Sequence, residues 1–566
     1  MHQTRSLVGS LTILTMFGVS VGLAAGFLSD VFARGIQMFN KLLLTPPYLQ
    51  TGMIGALQLL GVLLTSSVVV GVLQRGKTLG PVDTIEATHC NAGHIDLHAG
   101  MRGTLASFIA LASGASAGQY GPLVHFGASI GALISRARPF GADMATIGVG
   151  CGVSAAIAAA FSAPIAGVIF AHEVLLRHYS LRAFAPITVA AITGHLFGSS
   201  LFDADTLAVL HTVEQLPYLS YLALAVLGIL SALFAKYFMQ LVDFSDRIAE
   251  RSMLPGWARP VCAALMLWLV ALLIPEVLGT GLLPLRQTLA GEFGATDTAL
   301  LLIAKTAVTA VCLGFGFAGG IFSPALLLGT LFGSLFAVLI SLTMPSLLAS
   351  TPVFAVGAMA AVASAVIGAP LTAILIVFEL THDYELTIAV MITVVFANLV
   401  SFRLYGRSFY DLRLRLRGID FSLGVERVRL QHEYIDRYLV DSFLTLPPQT
   451  TVLQARDRML ASDTPEAHIV DSSDRYVGVL HLRDLELNVA QSPTEPVISH
   501  AVHDHLYLPG ATSVWDAMQA LEDFQGESVP VVDDQGVYLG ALFESAVIRA
   551  YLRTLDEIRK EANAIG

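Results

Sequence analysis

Residues 114–133 read GASAGQYGPLVHFGASIGAL, an apolar run punctuated by glycines and broken once by Pro122. Residues 314–334 read GFGFAGGIFSPALLLGTLFGS and carry the same spacing. Both fit G-x3-G-x3-P-x4-G-x3-G, through Gly114, Gly118, Pro122, Gly127 and Gly131 in the first and Gly316, Gly320, Pro324, Gly329 and Gly333 in the second. A second element repeats in the same order. Ala163-Pro164 is followed nine residues past the proline by Glu173, and Ala369-Pro370 by Glu379 at the same offset. The chain therefore reads as two related halves.

The composition places those halves in a membrane. Of 566 residues 55% are hydrophobic and 13% charged, and the mean hydropathy is +0.69. Apolar segments such as 6–27, 53–73, 218–242, 261–274 and 386–400 follow one another up to about residue 401, several of them long enough for a bilayer about 30 Å thick. The first is longer than the h-region of about 7–15 residues in a signal peptide and reads as a membrane helix. From about Val440 charged residues become frequent and apolar runs shorten, as in a small soluble α/β domain. The expected division is a membrane domain over 1–418, a linker over 419–439 and a soluble domain over 440–566, with modules at 440–490 and 497–555.

Charge and motif content exclude other classes. The net charge of −11 is dispersed, so nothing supports nucleic-acid binding. Cys90, Cys151, Cys262 and Cys312 have no paired spacing and suggest neither disulfides nor a metal site. No HExxH, no Ser/His pair and no Cys/His cluster at useful spacing supports an enzyme. Arg403, Arg407, Arg413, Arg415 and Arg417 follow the last apolar segment and place the soluble domain in the cytoplasm.

Related halves in a membrane chain mark a transporter or channel fold with its permeation site where the halves meet. Glycine and proline at membrane depth break helices, which is tolerated where the freed backbone groups line a cavity or are covered by protein. The start of such a half-helix carries free N–H groups and about half a positive charge, and it attracts anions. The outer glycines read as close-packing positions. Gln119, Tyr120 and Gly121 in one copy, and Ile321, Phe322 and Ser323 in the other, read as the functional starts.

These residues resemble the CLC family of chloride channels and chloride/proton antiporters along nearly the whole chain. Gly320-Ile321-Phe322-Ser323-Pro324 is similar to the family's GxFxP element, whose backbone amides bind the central anion, and Tyr410 matches the tyrosine that completes that site. Residues 161–167 and 368–372 resemble the paired elements after the filter helices. The resemblance implies an all-α polytopic membrane domain of two inverted halves with broken helices, a homodimer in lipid with one pore per subunit, and chloride or similar small anions as cargo. No fixed cation need hold the ion, since weak multi-site binding permits rapid exit.

Three departures matter. Gly118-Gln119-Tyr120-Gly121-Pro122 stands where the family has GKEGP or GREGP, so Tyr120 replaces the external gating glutamate and Gln119 removes a nearby cation. A phenol, with a reference pKa of about 10, stays neutral at physiological pH. Val174 occupies the position of the internal proton-transfer glutamate. Thr78, in Lys77-Thr78-Leu79-Gly80-Pro81, replaces the pathway serine if Pro81 anchors the alignment, though Gly80-Pro81 allows a shifted one. The expected anion-site residues are thus Thr78, Gly118, Gln119, Gly121, Gly320, Ile321, Phe322 and Tyr410, with Tyr120 as gate. Tyr120 either lines or blocks the outer site, or rotates into helix packing. The expected function is passive chloride conduction without a required cofactor; the alternative is chloride/proton exchange through unorthodox residues. The proline of Gly-Gln-Tyr-Gly-Pro speaks against the fluoride branch, and a transport-dead sensor is a further contrast.

The soluble domain resembles a pair of CBS modules. A helix over 450–462 and strands over 468–470 and 476–480 recur as 512–524, 528–532 and 537–542. Gly478 to Asp484 matches the module's closing G-x5-D, whose aspartate often holds the ribose of an adenine nucleotide; the second module has Ala546 at that spacing. One nucleotide per pair is the ceiling, and a purely dimerising domain is the other reading. Elsewhere, Lys305 is expected in a structural role, Glu173 and Glu379 at helix ends, and His125 and His172 in packing. A bacterial inner membrane suits the compact chain.

Overall fold

The computed structural model describes residues 2–44, 52–76, 78–91, 93–137, 144–179, 181–197, 216–345, 351–404, 406, 408–440, 442–489, 492–503, 505–524 and 526–563. Lys77 and Arg407 lie outside them. The chain divides into two compact units, one running to Ile419 and the other covering Asp420–Glu561.

Six helices among the described residues are long and apolar enough to cross a membrane. The membrane unit runs α1 (His2–Leu44), α2 (Met53–Leu73), α3 (Pro81–Cys90), α4 (Leu97–Ala112), α5 (Tyr120–Ser135), α6 (Ala145–Phe161), α7 (Pro164–Phe170, continued as a π-helix over Ala171–Leu176) and α8 (Leu181–Phe197). It continues through α9 (Tyr218–Arg251), α10 (Arg259–Ala271), α11 (Leu282–Leu289), α12 (Ala295–Gly314), α13 (Phe322–Ser341), α14 (Thr351–Ile367), α15 (Pro370–Thr381), α16 (Tyr384–Leu404) and α17 (Phe409–Leu416). The repeated sequence becomes repeated structure: α5, α6 and α7 recur as α13, α14 and α15.

The local causes recur too. α6 ends at Ser162 (φ 54°) and the chain leaves α14 through Gly368 (φ 79°), both left-handed. Pro164 and Pro370 then open the next helix, where the N–H that proline lacks has no intrahelical partner to lose. Apolar in lipid and apolar in protein differ little, so close packing by small residues must hold these helices. A Cβ on Gly131 would stand 1.8 Å from the Gly148 carbonyl, and one on Gly333 2.3 Å from that of Phe354. The outer glycines are therefore packing positions, and α6 and α14 are buried on nearly every face.

The second unit begins earlier than expected. Residues 419–439 contain α18 (Val425–Gln431), and Leu430 and Ile435 are fully buried in this unit's core. The linker is thus part of the soluble fold, because these apolar residues bury against Val514, Val529 and Leu542; each full burial contributes about 1.5–3 kcal/mol. Two three-stranded sheets follow, β1-β2-β3 (Thr445–Leu446, Glu466–Val470, Tyr476–His481) and β4-β5-β6 (Leu508–Pro509, Ser528–Val532, Tyr538–Phe543). In each the first pair is parallel and the second antiparallel. Helices α19 (Val452–Ala461), α20 (Leu482–Val489), α21 (Val514–Ala520) and α22 (Glu544–Asn563) complete them. Thr451 and Ser513 cap α19 and α21 at matching places.

Candidate functional site

Two loops from the two halves join at their glycines. Gly118 N–H donates to the Gly320 carbonyl at 2.7 Å, and Gly320 N–H returns to Gly118 at 2.6 Å. The bridge is antiparallel, as halves of opposite direction require. A Cβ on Gly118 would lie 2.7 Å from Gly320 O, so only glycine allows this approach. This corrects the expectation that the Gly118 and Gly320 amides face an anion: they face each other. The Gln119 amide is also spent, donating to Ser323 Oγ at 3.3 Å. Among the described residues the N-cap side chains of α5 and α13 make no capping hydrogen bond, so the backbone donors at these starts belong to Tyr120, Gly121, Ile321, Phe322 and Ser323. A Cβ on Gly121 would meet Gly320 Cα at 3.0 Å and Pro81 Cγ at 3.2 Å, which brings the start of α3 to the same point.

Tyr120 is 2% exposed and turns inward. Its ring stacks on Phe161 with centroids 4.0 Å apart and planes at 26°, and lies 5.4 Å from Phe322. Phe161 and Phe322 are themselves 5.5 Å apart. The result is a three-ring cluster from α5, α6 and α13. Beside it is a void of about 10 Å³ between Gln119, Tyr120, Thr280, Leu285, Ser323 and Leu326, at the threshold for one water and too small for a larger ion. Behind the adjoining turn, fully buried Lys305 donates to the carbonyls of Val277 (2.7 Å) and Gly279 (2.9 Å), the structural role expected for it. Sequence reasoning missed Phe161 as a partner of Tyr120, since no local pattern connects two rings on different helices.

Thr78 lines a cavity of about 290 Å³ together with Gly80, Pro81, His125 and Gly319. His125 is held between helices, Nδ1 at 2.8 Å from Thr84 Oγ1, as a packing residue. His172 Nδ1 likewise meets the Val168 carbonyl at 2.9 Å. Tyr410 stands apart from the glycine loops in sequence, buried in the first turn of α17, its ring 6.4 Å from Phe409. Ser408 caps this helix by accepting the Asp411 amide at 3.0 Å, and Asp411 binds Arg177 at 2.5 Å.

The two repeated glutamates cross between halves. Glu173 accepts from the Leu371 and Thr372 amides at 3.0 and 2.9 Å and from Thr372 Oγ1 at 2.7 Å. Glu379 accepts from Ile165 and Ala166 amides at 2.9 and 2.7 Å. Each carboxylate caps the half-helix opened by the other half's proline, satisfying orphan donors at a positive helix end. Val174 is buried next to Glu173 and has no group to carry a proton.

A model of the family described as voltage gated chloride channel matches residues 61–402, more than half the chain. The chain belongs to this CLC family. Among curated relatives, it is 31% identical to the H(+)/Cl(-) exchange transporter ClcA of Vibrio cholerae, over 53% of this chain and 66% of that protein. It is 28% identical to a ClcB-like chloride channel protein of Ralstonia nicotianae, over 55% of this chain and 74% of that one. Two solved structures share the fold. A slow cyanobacterial Cl-/H+ antiporter superposes with a TM-score of 0.63 at 22% identity, covering 72% of this chain and 98% of its own. A eukaryotic CLC transporter gives 0.64 at 15%, covering 95% and 98%.

In this CLC chain a CBS domain model matches residues 435–489, and the second sheet repeats the first module's topology. Half-buried Asp484 stands in the first turn of α20. The modules meet through polar groups. Glu466 accepts from the Ser528 amide and hydroxyl, each at 3.1 Å, and fully buried His468 reaches Tyr538 Oη at 2.9 Å and Ser528 Oγ at 3.3 Å. Burial pushes the His468 imidazole down to about 3, and it lowers His505 as well.

Proposed function

We propose that the membrane unit carries chloride and similar small anions along the junction of its halves, and that Tyr120 closes that path at the glycine loops. The observation that supports this best is the Tyr120 ring stacked on Phe161 and Phe322 beside a void of about 10 Å³. Amides of Ile321 and Phe322, with Thr78 and Tyr410, supply weak donors of the kind an anion in transit needs.

Two modes of transport are compatible with that path. The name of the Vibrio relative favours exchange with protons, which would then use groups other than the usual pair. Tyr120 and Val174 at the two proton positions, and a Glu173 committed to three donors, favour passive conduction. The proposal extends to a homodimer in a bacterial inner membrane, with the soluble unit in the cytoplasm and Asp484 offered to an adenine nucleotide.

Chloride release from liposomes holding the purified protein, with external pH recorded, tests both levels. Chloride release is expected. Proton movement in fixed ratio to chloride would select exchange, and chloride alone would select conduction. No release under either gradient would sink the transport reading.

A further inference from the structure

The ends of α7 and α15 differ by one residue. In both halves a proline opens the helix and a glutamate follows nine positions on, but the left-handed residue that ends the run comes three positions after Glu379, at His382 (φ 53°), and four after Glu173, at Arg177 (φ 59°). The first half absorbs the extra residue as the π-helix over Ala171–Leu176, whereas α15 stays α-helical to Thr381. A wide i→i+5 turn takes up one added residue without breaking the helix, and such turns are frequent at functional sites. One residue is about 100° around a helix axis, so the insertion decides which way the terminating side chain leaves.

In the first half that side chain reaches α17. Arg177 donates to Asp411 Oδ1 at 2.5 Å, and the two side chains are only 8% and 12% exposed. Ser408 Oγ donates to the other carboxylate oxygen, Oδ2, at 2.9 Å and accepts the Asp411 amide at 3.0 Å. The first turn of α17 is thereby closed on itself and tied to α7 by a buried ion pair. Tyr410 lies inside that turn, buried, with its ring against its neighbour Phe409, so where the phenol stands follows from where the turn is held. Glu173, Val174, Arg177, Ser408 and Asp411 line one cavity of about 620 Å³, which brings the π-helix and the turn of Tyr410 to one place. Burying two charges costs roughly what their attraction returns, so such a pair fixes geometry more than it stabilises.

We propose, on the transport reading above, that Arg177 is a positioning residue for Tyr410. Delivered to Asp411 by the inserted residue of the π-helix, it sets where the Tyr410 hydroxyl meets the anion and acts through that hydroxyl alone.

The test is a double-mutant cycle with Tyr410→Phe, read as chloride flux in liposomes against chloride concentration. Arg177→Met is expected to raise the apparent KM about three- to tenfold, the scale of one hydrogen bond weakened or lost, and Tyr410→Phe to raise it by a similar factor. The two together should raise KM no further than either alone, because each removes the same contact; a role of Arg177 in holding the fold would make the two factors multiply. Arg177→Lys, which keeps the charge beside Asp411, should restore most of the affinity. Arg177→Met combined with Asp411→Asn leaves no bare buried charge, so it serves in the cycle where Arg177→Met alone does not fold, and it should show the same KM. Factors that multiply, or an unchanged KM in the arginine variants or in Tyr410→Phe, would overturn this inference alone. No flux in the unaltered protein would overturn the transport reading and this inference with it.

Discussion

The two glycine loops share a backbone and differ in side chains. Gly118 and Gly320 bind each other as near equals, and α5 and α13 begin two residues later in the same way. Yet the first loop presents Gln119 and Tyr120 where the second presents Ile321 and Phe322. The symmetry builds the junction, and the asymmetry sets an amide and a phenol against two apolar side chains. The same division recurs at the next element, where Ser162 and Gly368 take the same left-handed turn and Glu173 and Glu379 exchange caps.

The sharpest break in that comparison is Tyr120→Ala. It removes the ring from between Phe161 and Phe322, and chloride flux in liposomes is expected to rise at least about tenfold, the scale set by a lost stacking contact and an opened passage. Unchanged flux and selectivity would return Tyr120 to mere packing.

A second contrast lies between the soluble modules, where β2 places His468 opposite the β5 region that carries Ser528. His468 is neutral when buried, with its pKa lowered to about 3 against 6.5 when unfolded. Its contribution is fully present above pH 6.5 and is lost as pH falls toward 3, on the order of 5 kcal/mol over that window. Thermal unfolding of the full chain between about pH 7 and pH 4 should show the soluble transition falling, and His468→Gln should flatten the slope. An equally steep slope in the variant would move the effect elsewhere.

The exchanged caps are next in size. Glu173→Ala strands three donors and Glu379→Ala two, so the former should cost more, within about 1–3 kcal/mol. Unfolding in detergent would reveal the order, and a reversed order would mean that the halves are not held as symmetrically as their hydrogen bonds suggest. The smallest effect belongs to the turn. Ser162→Gly should stabilise by about 0.5–1 kcal/mol and Gly368→Ala destabilise by a similar amount, read as opposite shifts in Tm. The Ser162 Oγ contact with His195 Nδ1 at 3.3 Å reduces the gain.

The two halves, the broken helices and the twin soluble modules were legible because each leaves a local trace. Proline and glycine mark where a helix must start or turn, apolar length marks the bilayer, and a recurring spacing marks a recurring shape. Glu173 and Glu379 were legible as equivalent helix-end residues for the same reason. The boundary at 419–439 was misread, since a stretch that mixes apolar with charged residues and has no long apolar run looks like a linker until Leu430 and Ile435 are seen to fill a core.

Sequence alone determined that this protein has a membrane unit of two related halves, with Tyr120 between Gly118 and Pro122 of the first repeated element. Only the tertiary structure decided that Gly118 and Gly320 spend their amides on each other, that each glutamate caps the opposite half, and that Phe161 receives the Tyr120 ring. The reason is physical: helix starts and turns are set by neighbouring residues, whereas a hydrogen bond or a stacked pair between distant segments exists only once the packed helices have fixed both partners in space.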